Sequence, residues 1–214
     1  PVVMCLDRGG LVGEDGVTHH GVFDMAAFGA VPGLTIAAPM NEPELRNMMY
    51  TALGSGHPFM IRYPRGHGEG LPWRGEKFET LPVGRGRRLR EGADVALLTV
   101  GTVGNAAARA AGRAAAEGVS VAHYDLRFVK PLDEALLDEV GRKFRRVVTV
   151  EDGSLRGGVG EAVAAFFNGR GYDVRVQRLG IGDEWVEHGT PGQLYALCGY
   201  DEEGILRALL DTRA

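Results

Sequence analysis

Short apolar runs alternate along this chain with segments of helical period, and the alternation predicts an α/β layer structure built on parallel sheet. The opening PVVMCLD is an apolar run ending in an acid, the pattern of a core strand that runs out into a loop. VFDMAAFGA predicts a short helix stopped by Pro32 and Gly33, and LTIAAP a strand. Asn41 stands where it can cap the next helix, with Glu42 and Pro43 in the first turn and Leu45, Met48, Met49 and Leu53 on one face. PFMIRYPRG is the next strand and ends in Arg62, Tyr63, Pro64 and Arg65.

From Gly66 to Gly92 the pattern decays into glycine, proline and charge with no sustained period, which predicts a linker. Its basic run, Arg85, Arg87, Arg88 and Arg90, reads as solvated surface. A second α/β unit follows. DVALLTVG, VSVAHYDL, RRVVTVED and YDVRVQRLGI read as strands, separated by an alanine-rich helix closed at Gly118, by LDEALLDEVGRKF and by GGVGEAVAAFFNGRG. TPGQLYALCG and DEEGILRALLD predict two short closing helices. The expected division is residues 1–70, a linker over 71–92, and a second unit over 93–214 whose parallel sheet has room for one edge strand of the other direction.

Composition changes this picture little. The chain is 44% hydrophobic and 24% charged, the make-up of an ordinary soluble protein, and its net charge of −4 gives no overall attraction to nucleic acid or a membrane surface. No apolar run approaches the roughly 18 residues that would span a bilayer. The 33 glycines among 214 residues stand out, at about twice the usual share of roughly 7%. They point to tight connections or to backbone held close to a ligand. Cys5 and Cys198 lie far apart and read as buried thiols in a reducing cytoplasm. A buried strand as the very first element, with no initiator methionine, leads us to expect the C-terminal part of a longer protein.

The candidate chemistry gathers in LVGEDGVTHHGVFD, Leu11 to Asp24. The segment is too polar for a buried strand and too poor in helix formers for a helix, so it is a loop. It leaves the C-terminal end of the first strand through Asp7 and Arg8, the end of a parallel sheet where ligands bind. Asp15 stands four residues before His19, a spacing at which a carboxylate can orient an imidazole and raise its pKa. Arg65 leaves another strand at the same end and offers a planar fork for phosphate or carboxylate. On spacing alone two readings stay open: an anion-binding acid–base site, and a polar loop that merely caps the sheet. GTVGNAA and EDGSLRGGVGEA lead into helices without a phosphate-loop signature and read as tight strand–helix packing; His188 receives no role.

The string DRGGLVGEDGVTHHGVFD resembles the loop of the thiamine-diphosphate-dependent transketolase superfamily, in which Gly-Glu/Ala-Asp-Gly-x-Thr-His recurs. Asp7-Arg8 before it and Gly21-x-Phe23-Asp24 after it make it similar to the 1-deoxy-D-xylulose-5-phosphate synthase family in particular. The likeness continues through IAAPMNEPELRNMMYTAL and IRYPRG. The later VGTVGNAA, DLRFVKPLDEALL and VTVEDGSLRGGVGEAV resemble that family's C-terminal domain.

The resemblance implies the second half of a pyrimidine-binding parallel-sheet domain followed by a transketolase-type C-terminal α/β domain. It implies a homodimeric cytoplasmic enzyme that joins pyruvate to glyceraldehyde 3-phosphate with loss of carbon dioxide. Its cofactors would be thiamine diphosphate and Mg2+, held mainly by an N-terminal part that precedes this span. The glutamate that activates the cofactor would also lie upstream, and Glu14 is not that residue. Carried onto this sequence, Arg8 and Arg65 hold the acceptor's phosphate, His19 serves the aldehyde oxygen, and Asp15 orients the loop and His19, with His20 only a neighbour. The span alone is expected to be inactive. The rival readings are another transketolase-like enzyme, the beta subunit of a 2-oxoacid dehydrogenase, and a non-catalytic split-chain dimerisation module.

Overall fold

The computed structural model describes residues 1–211. In chain order the elements are β1 (Val3–Leu6), a 3-10 turn (Gly13–Asp15), α1 (Asp24–Gly29), β2 (Thr35–Ala37), α2 (Glu42–Gly54), β3 (Phe59–Arg62), β4 (Arg87–Arg90) and β5 (Val95–Val100). They continue with α3 (Val103–Ala116), β6 (Val121–Asp125), β7 (Phe128–Lys130), α4 (Glu134–Lys143), β8 (Arg146–Ser154), α5 (Val159–Gly169), β9 (Arg175–Ile181), α6 (Pro191–Leu197) and α7 (Glu202–Leu210). Two sheets result, in the orders β1-β3-β2-β7 and β4-β6-β5-β8-β9. β1, β2 and β3 pair in parallel, as do β5, β6, β8 and β9; only β4 and β7 run antiparallel to their neighbours.

Local chemistry accounts for the boundaries. The Asn41 side chain accepts from the Glu44 N–H and caps α2, with Pro43 in the first turn, where a missing N–H costs nothing. Asp133, Thr190 and Asp201 cap α4, α6 and α7 in the same way, and Thr190 with Gln193 completes a capping box. On α3, Ala107, Ala110, Ala111 and Ala114 are fully buried at helical spacing. Their small side chains let α7 approach, with Ile205 and Leu209 filling the contact.

The central strands β5 and β8 are buried on both faces, as expected for parallel strands covered by helices on each side. Leu11 and Val22, which bracket the polar loop, belong to the apolar cluster on one face of this second sheet, and Met25 of α1 to the cluster on the other. The loop is therefore anchored in the core of the second unit.

Four expectations are corrected. Within this span β1 lies at the edge of its sheet instead of in a core, and neither thiol is fully buried: Cys5 is exposed and Cys198, at the end of α6, is half-buried. The stretch expected to be irregular contains β4, which pairs with β6 from Arg87 to Arg90. Its arginines are not plain solvated surface: Arg85 pairs with Asp133, Arg87 with Glu44 and Asp125, and Arg88 with Glu91 and Glu139. β7, which the sequence pattern did not mark, leaves the second unit to complete the first sheet against β2. The departure is made at Arg127, a non-glycine residue at φ 59°. Its guanidinium grips both oxygens of the buried Glu44 carboxylate on α2, at 2.8 and 2.9 Å. That bidentate pair offsets the left-handed backbone strain and ties the two units together.

Candidate active site

The chain leaves β1 through Asp7 and Arg8, and Arg8 adopts φ 60°, turning the backbone sharply at the strand end. The Gly9 N–H donates to the Tyr63 carbonyl at 2.9 Å, which holds this exit beside the end of β3. Gly10 and Gly21 then exchange backbone hydrogen bonds at 2.8 and 2.9 Å and close residues 11–20 into a loop with a narrow neck. Inside it, the Gly13–Asp15 turn ends at Gly16, whose φ of 72° reverses the chain. His20 points inward: its Nδ1 accepts from the Val12 N–H at 3.1 Å and staples the loop across its width.

The structure brings three of the four sequence-predicted residues together. Asp15 Oδ2 accepts from Arg65 Nη1 at 2.5 Å and lies 3.6 Å from Arg8 Nε, so one carboxylate oxygen gathers two guanidiniums from two neighbouring strand ends. Arg8 also lies 3.6 Å from Asp7. His19 sits on the same loop and is exposed, but the contact of its ring is with Thr18, Oγ1 to Nδ1 at 2.9 Å. The expectation that Asp15 orients His19 is therefore corrected. The 3-10 turn and the reversal at Gly16 direct the Asp15 carboxylate toward the arginines, and the neighbouring hydroxyl takes the imidazole instead.

Sequence reasoning missed the residues that hold this loop in place. Arg62, at the end of β3, is only 4% exposed. Its Nε donates to Asp24 Oδ2 at 2.6 Å, and its Nη2 donates to the carbonyls of Gly21 at 3.1 Å and Asp152 at 2.9 Å. Asp152, on β8 of the second sheet, is buried too. Its Oδ1 accepts from the Leu11 N–H at 3.0 Å and the Tyr200 hydroxyl at 2.8 Å, and its Oδ2 from the Tyr195 hydroxyl at 3.1 Å. Burial pushes the Asp152 carboxyl up; the Arg62 guanidinium and the donated hydrogen bonds pull it back. The same environment drives both tyrosines far above their ordinary range, so they remain donors. One signal was present in the sequence, an acidic pair at the end of an apolar strand in VTVEDG, but its partners lie too far along the chain to be inferred.

The segment after β9 supports the loop from a second side. Gly189 N–H donates to the Gly13 carbonyl at 3.3 Å, and His188 packs its Cβ against Gly16. His188 thus acquires a packing role. The two glycine-led helix entries behave as tight packing. Gly160 of α5 leaves no room for a side chain against Thr149, and the buried Glu151 carboxylate accepts from the N–H groups of Val159 and Gly160 at 2.7 and 2.8 Å. The N-terminus of α5 is thereby satisfied by the protein's own anion.

Beside the arginine pair, a cleft of about 710 Å³ opens between the two units, lined by Tyr63, Arg65, Asn105, Arg109 and Tyr195 among others. Its volume is in the range of small-molecule sites. Arg65 lines this cleft and is joined through Asp15 to Arg8, and two guanidiniums so gathered suit a phosphorylated or carboxylated ligand. Among the described residues no group of three His, Cys, Asp or Glu side chains could hold a metal ion. No helix among them is long and apolar enough to cross a membrane.

Comparison with known proteins places this geometry in a family. Residues 1–69 match the transketolase pyrimidine binding domain, and residues 84–205 match the transketolase C-terminal domain. The chain is 57% identical over 214 residues to the 1-deoxy-D-xylulose-5-phosphate synthase of Bacteroides fragilis, covering 99% of this chain and 33% of that protein. It is 56% identical over 212 residues to the corresponding synthase of Bacteroides thetaiotaomicron, with 98% and 33% covered. This chain thus spans about a third of the length of these relatives. Among solved structures, a split-gene transketolase described as an inactive beta4 tetramer superimposes with a TM-score of 0.83 at 27% identity, over 97% of this chain and 64% of that one. The chain belongs to the transketolase family, with a pyrimidine-binding segment followed by the family's C-terminal domain.

Proposed function

We propose that this chain is the acceptor-binding portion of a 1-deoxy-D-xylulose-5-phosphate synthase, a thiamine-diphosphate-dependent transferase that condenses pyruvate with glyceraldehyde 3-phosphate and releases carbon dioxide. The observation that carries this reading is the convergence of Arg8 and Arg65 on Asp15 at the C-terminal ends of β1 and β3. Its identity with synthases at 57% supports the choice within the family. In this reading residues 1–70 are the second half of a pyrimidine-binding domain, 71–92 the linker and 93–214 the C-terminal domain. The whole enzyme is a cytoplasmic homodimer.

The residues of this chain do not by themselves form a cradle for a diphosphate and its Mg2+. The loop's own carboxylate, Asp15, is taken by two arginines, and the described residues offer no three-ligand group. That cradle belongs to the part of the longer relatives outside this span, and thiamine diphosphate supplies the electron sink for the decarboxylation. What this chain contributes is positioning and charge. Arg8 and Arg65 present fixed donors to the acceptor's phosphate, and Asp15 keeps both guanidiniums gathered before the ligand arrives, so little ordering remains at binding. The contact with Thr18 Oγ1 engages Nδ1 of the His19 ring at 2.9 Å and leaves Nε2 for the ligand. From there the ring donates to the aldehyde oxygen, which becomes an alkoxide as the new carbon–carbon bond forms.

The test is Arg65→Ala in the full-length protein, assayed with pyruvate and glyceraldehyde 3-phosphate. The apparent KM for the phosphorylated acceptor should rise about 10- to 100-fold with the pyruvate dependence unchanged. An unchanged acceptor KM would remove Arg65 from the site. A second reading, a split-chain module without catalysis of its own, draws on the likeness to the split-gene transketolase. It predicts no carboligation from the full-length gene product under the same assay.

A further inference from the structure

We propose that Asp152, in the C-terminal domain, is a positioning residue for the acceptor loop, so that the second unit sets the geometry of a site built on the first. The loop's neck is where five anchoring contacts meet. Asp152 accepts from the Leu11 N–H, which is the first amide inside the neck, and its own carbonyl accepts from Arg62. Arg62 in turn donates to the Gly21 carbonyl on the other side of the neck and to Asp24, the first residue of α1. The Ser154 N–H, two residues along β8, donates to the Val22 carbonyl at 2.8 Å. Both ends of the loop are thus tied to the same strand of the other unit.

The fit at the neck is close. Gly10 lies against the Asp152 carboxylate with no space for a Cβ, and its φ of +91° suits glycine. Tyr195 and Tyr200, which occupy the carboxylate's other positions, also line the interdomain cleft beside Arg65. A carboxylate buried on the far sheet and facing a backbone amide of a polar loop costs desolvation that a hydrophobic residue would avoid. With every contact satisfied, it fixes one register of loop against strand. Arg8 precedes this neck and Asp15 and His19 lie within it, so a shift at Leu11 is carried to all three.

This inference rests on the acceptor-site reading for its functional consequence, but its structural content can be measured separately. Amide hydrogen exchange and steady-state kinetics would be recorded on the full-length protein and on Asp152→Ala, Asp152→Asn and Tyr200→Phe. Asp152→Ala should speed exchange across residues 10–21 by about 10-fold or more while α4 stays as in the parent. It should also raise the acceptor KM by about 10-fold with kcat and the pyruvate KM changed far less. Asp152→Asn keeps an acceptor for Leu11 and should restore most of the loop's protection and the acceptor KM. Tyr200→Phe removes one hydroxyl without opening the core and should give a smaller change in the same direction, and this decides the matter if Asp152→Ala does not fold. Unchanged exchange over 10–21 in the variants that fold, or a rise shared equally by α4, would overturn the proposal. Faster loop exchange with an unchanged acceptor KM would uphold the anchoring and overturn the acceptor-site reading instead.

Discussion

Asp15 and Arg65, fifty residues apart in sequence, meet at 2.5 Å between the loop that follows β1 and the end of β3. Arg65 is half exposed and lines the interdomain cleft. An exposed ion pair of this kind adds little to stability, about 0–1 kcal/mol. Its value lies in where it leaves the guanidinium.

Asp15→Asn separates these two effects. The acceptor KM of the full-length protein should rise by about 10-fold, because Arg8 and Arg65 lose their common anchor, while the thermal midpoint moves by only about a degree or two. Kinetics paired with calorimetry would check it. A large loss of thermal stability with an intact KM would make Asp15 a structural residue.

Arg62 should behave in the opposite way. Its partner Asp24 is nearly buried, so Arg62→Met leaves an uncompensated carboxylate and should cost about 3–5 kcal/mol in urea unfolding. Adding Asp24→Asn should recover part of that loss by removing the charge. Recovery stays incomplete because the Gly21 and Asp152 carbonyls still lack their donor.

Gly10→Ala tests the neck directly. The new methyl group must displace the Asp152 carboxylate and sit at φ +91°, so we expect a loss of about 2–4 kcal/mol. Gly33→Ala is the control, since Gly33 has a positive φ of 72° but open space around it. It should cost about 1 kcal/mol, for backbone strain alone.

The second sheet carries a pH signature. His123 on β6 is buried beside Thr99, and burial together with the nearby Arg87 and Arg90 pushes its pKa down to about 4. A histidine depressed in the folded state binds its proton more readily when unfolded, so it costs stability as pH falls from about 6.5 toward 4. Asp125, two residues on, is pushed up to about 6 mainly by burial, and it acts with the opposite sign in an overlapping window. His123→Gln removes only the first effect. Its stability relative to the parent should therefore improve as pH is lowered through that window, by up to about 3 kcal/mol, in urea unfolding at stepped pH.

What the sequence determined by itself was local. Apolar runs and helical periods marked every strand and helix of the described residues except β4 and β7, because burial on a sheet or helix face leaves a repeating trace in neighbouring residues. The cap at Asn41, and the irregular glycine-rich loop carrying Arg8, Asp15 and His19, were legible for the same reason. Tertiary structure alone decided which charges meet. Asp15 turns to Arg65 instead of His19, Arg127 takes Glu44 across a sheet boundary, and β7 joins the other unit. Asp152 reaches Leu11 over a separation of 141 residues. Such contacts depend on how two sheets are stacked and on which polar groups burial leaves to be satisfied, and no spacing along the chain encodes that.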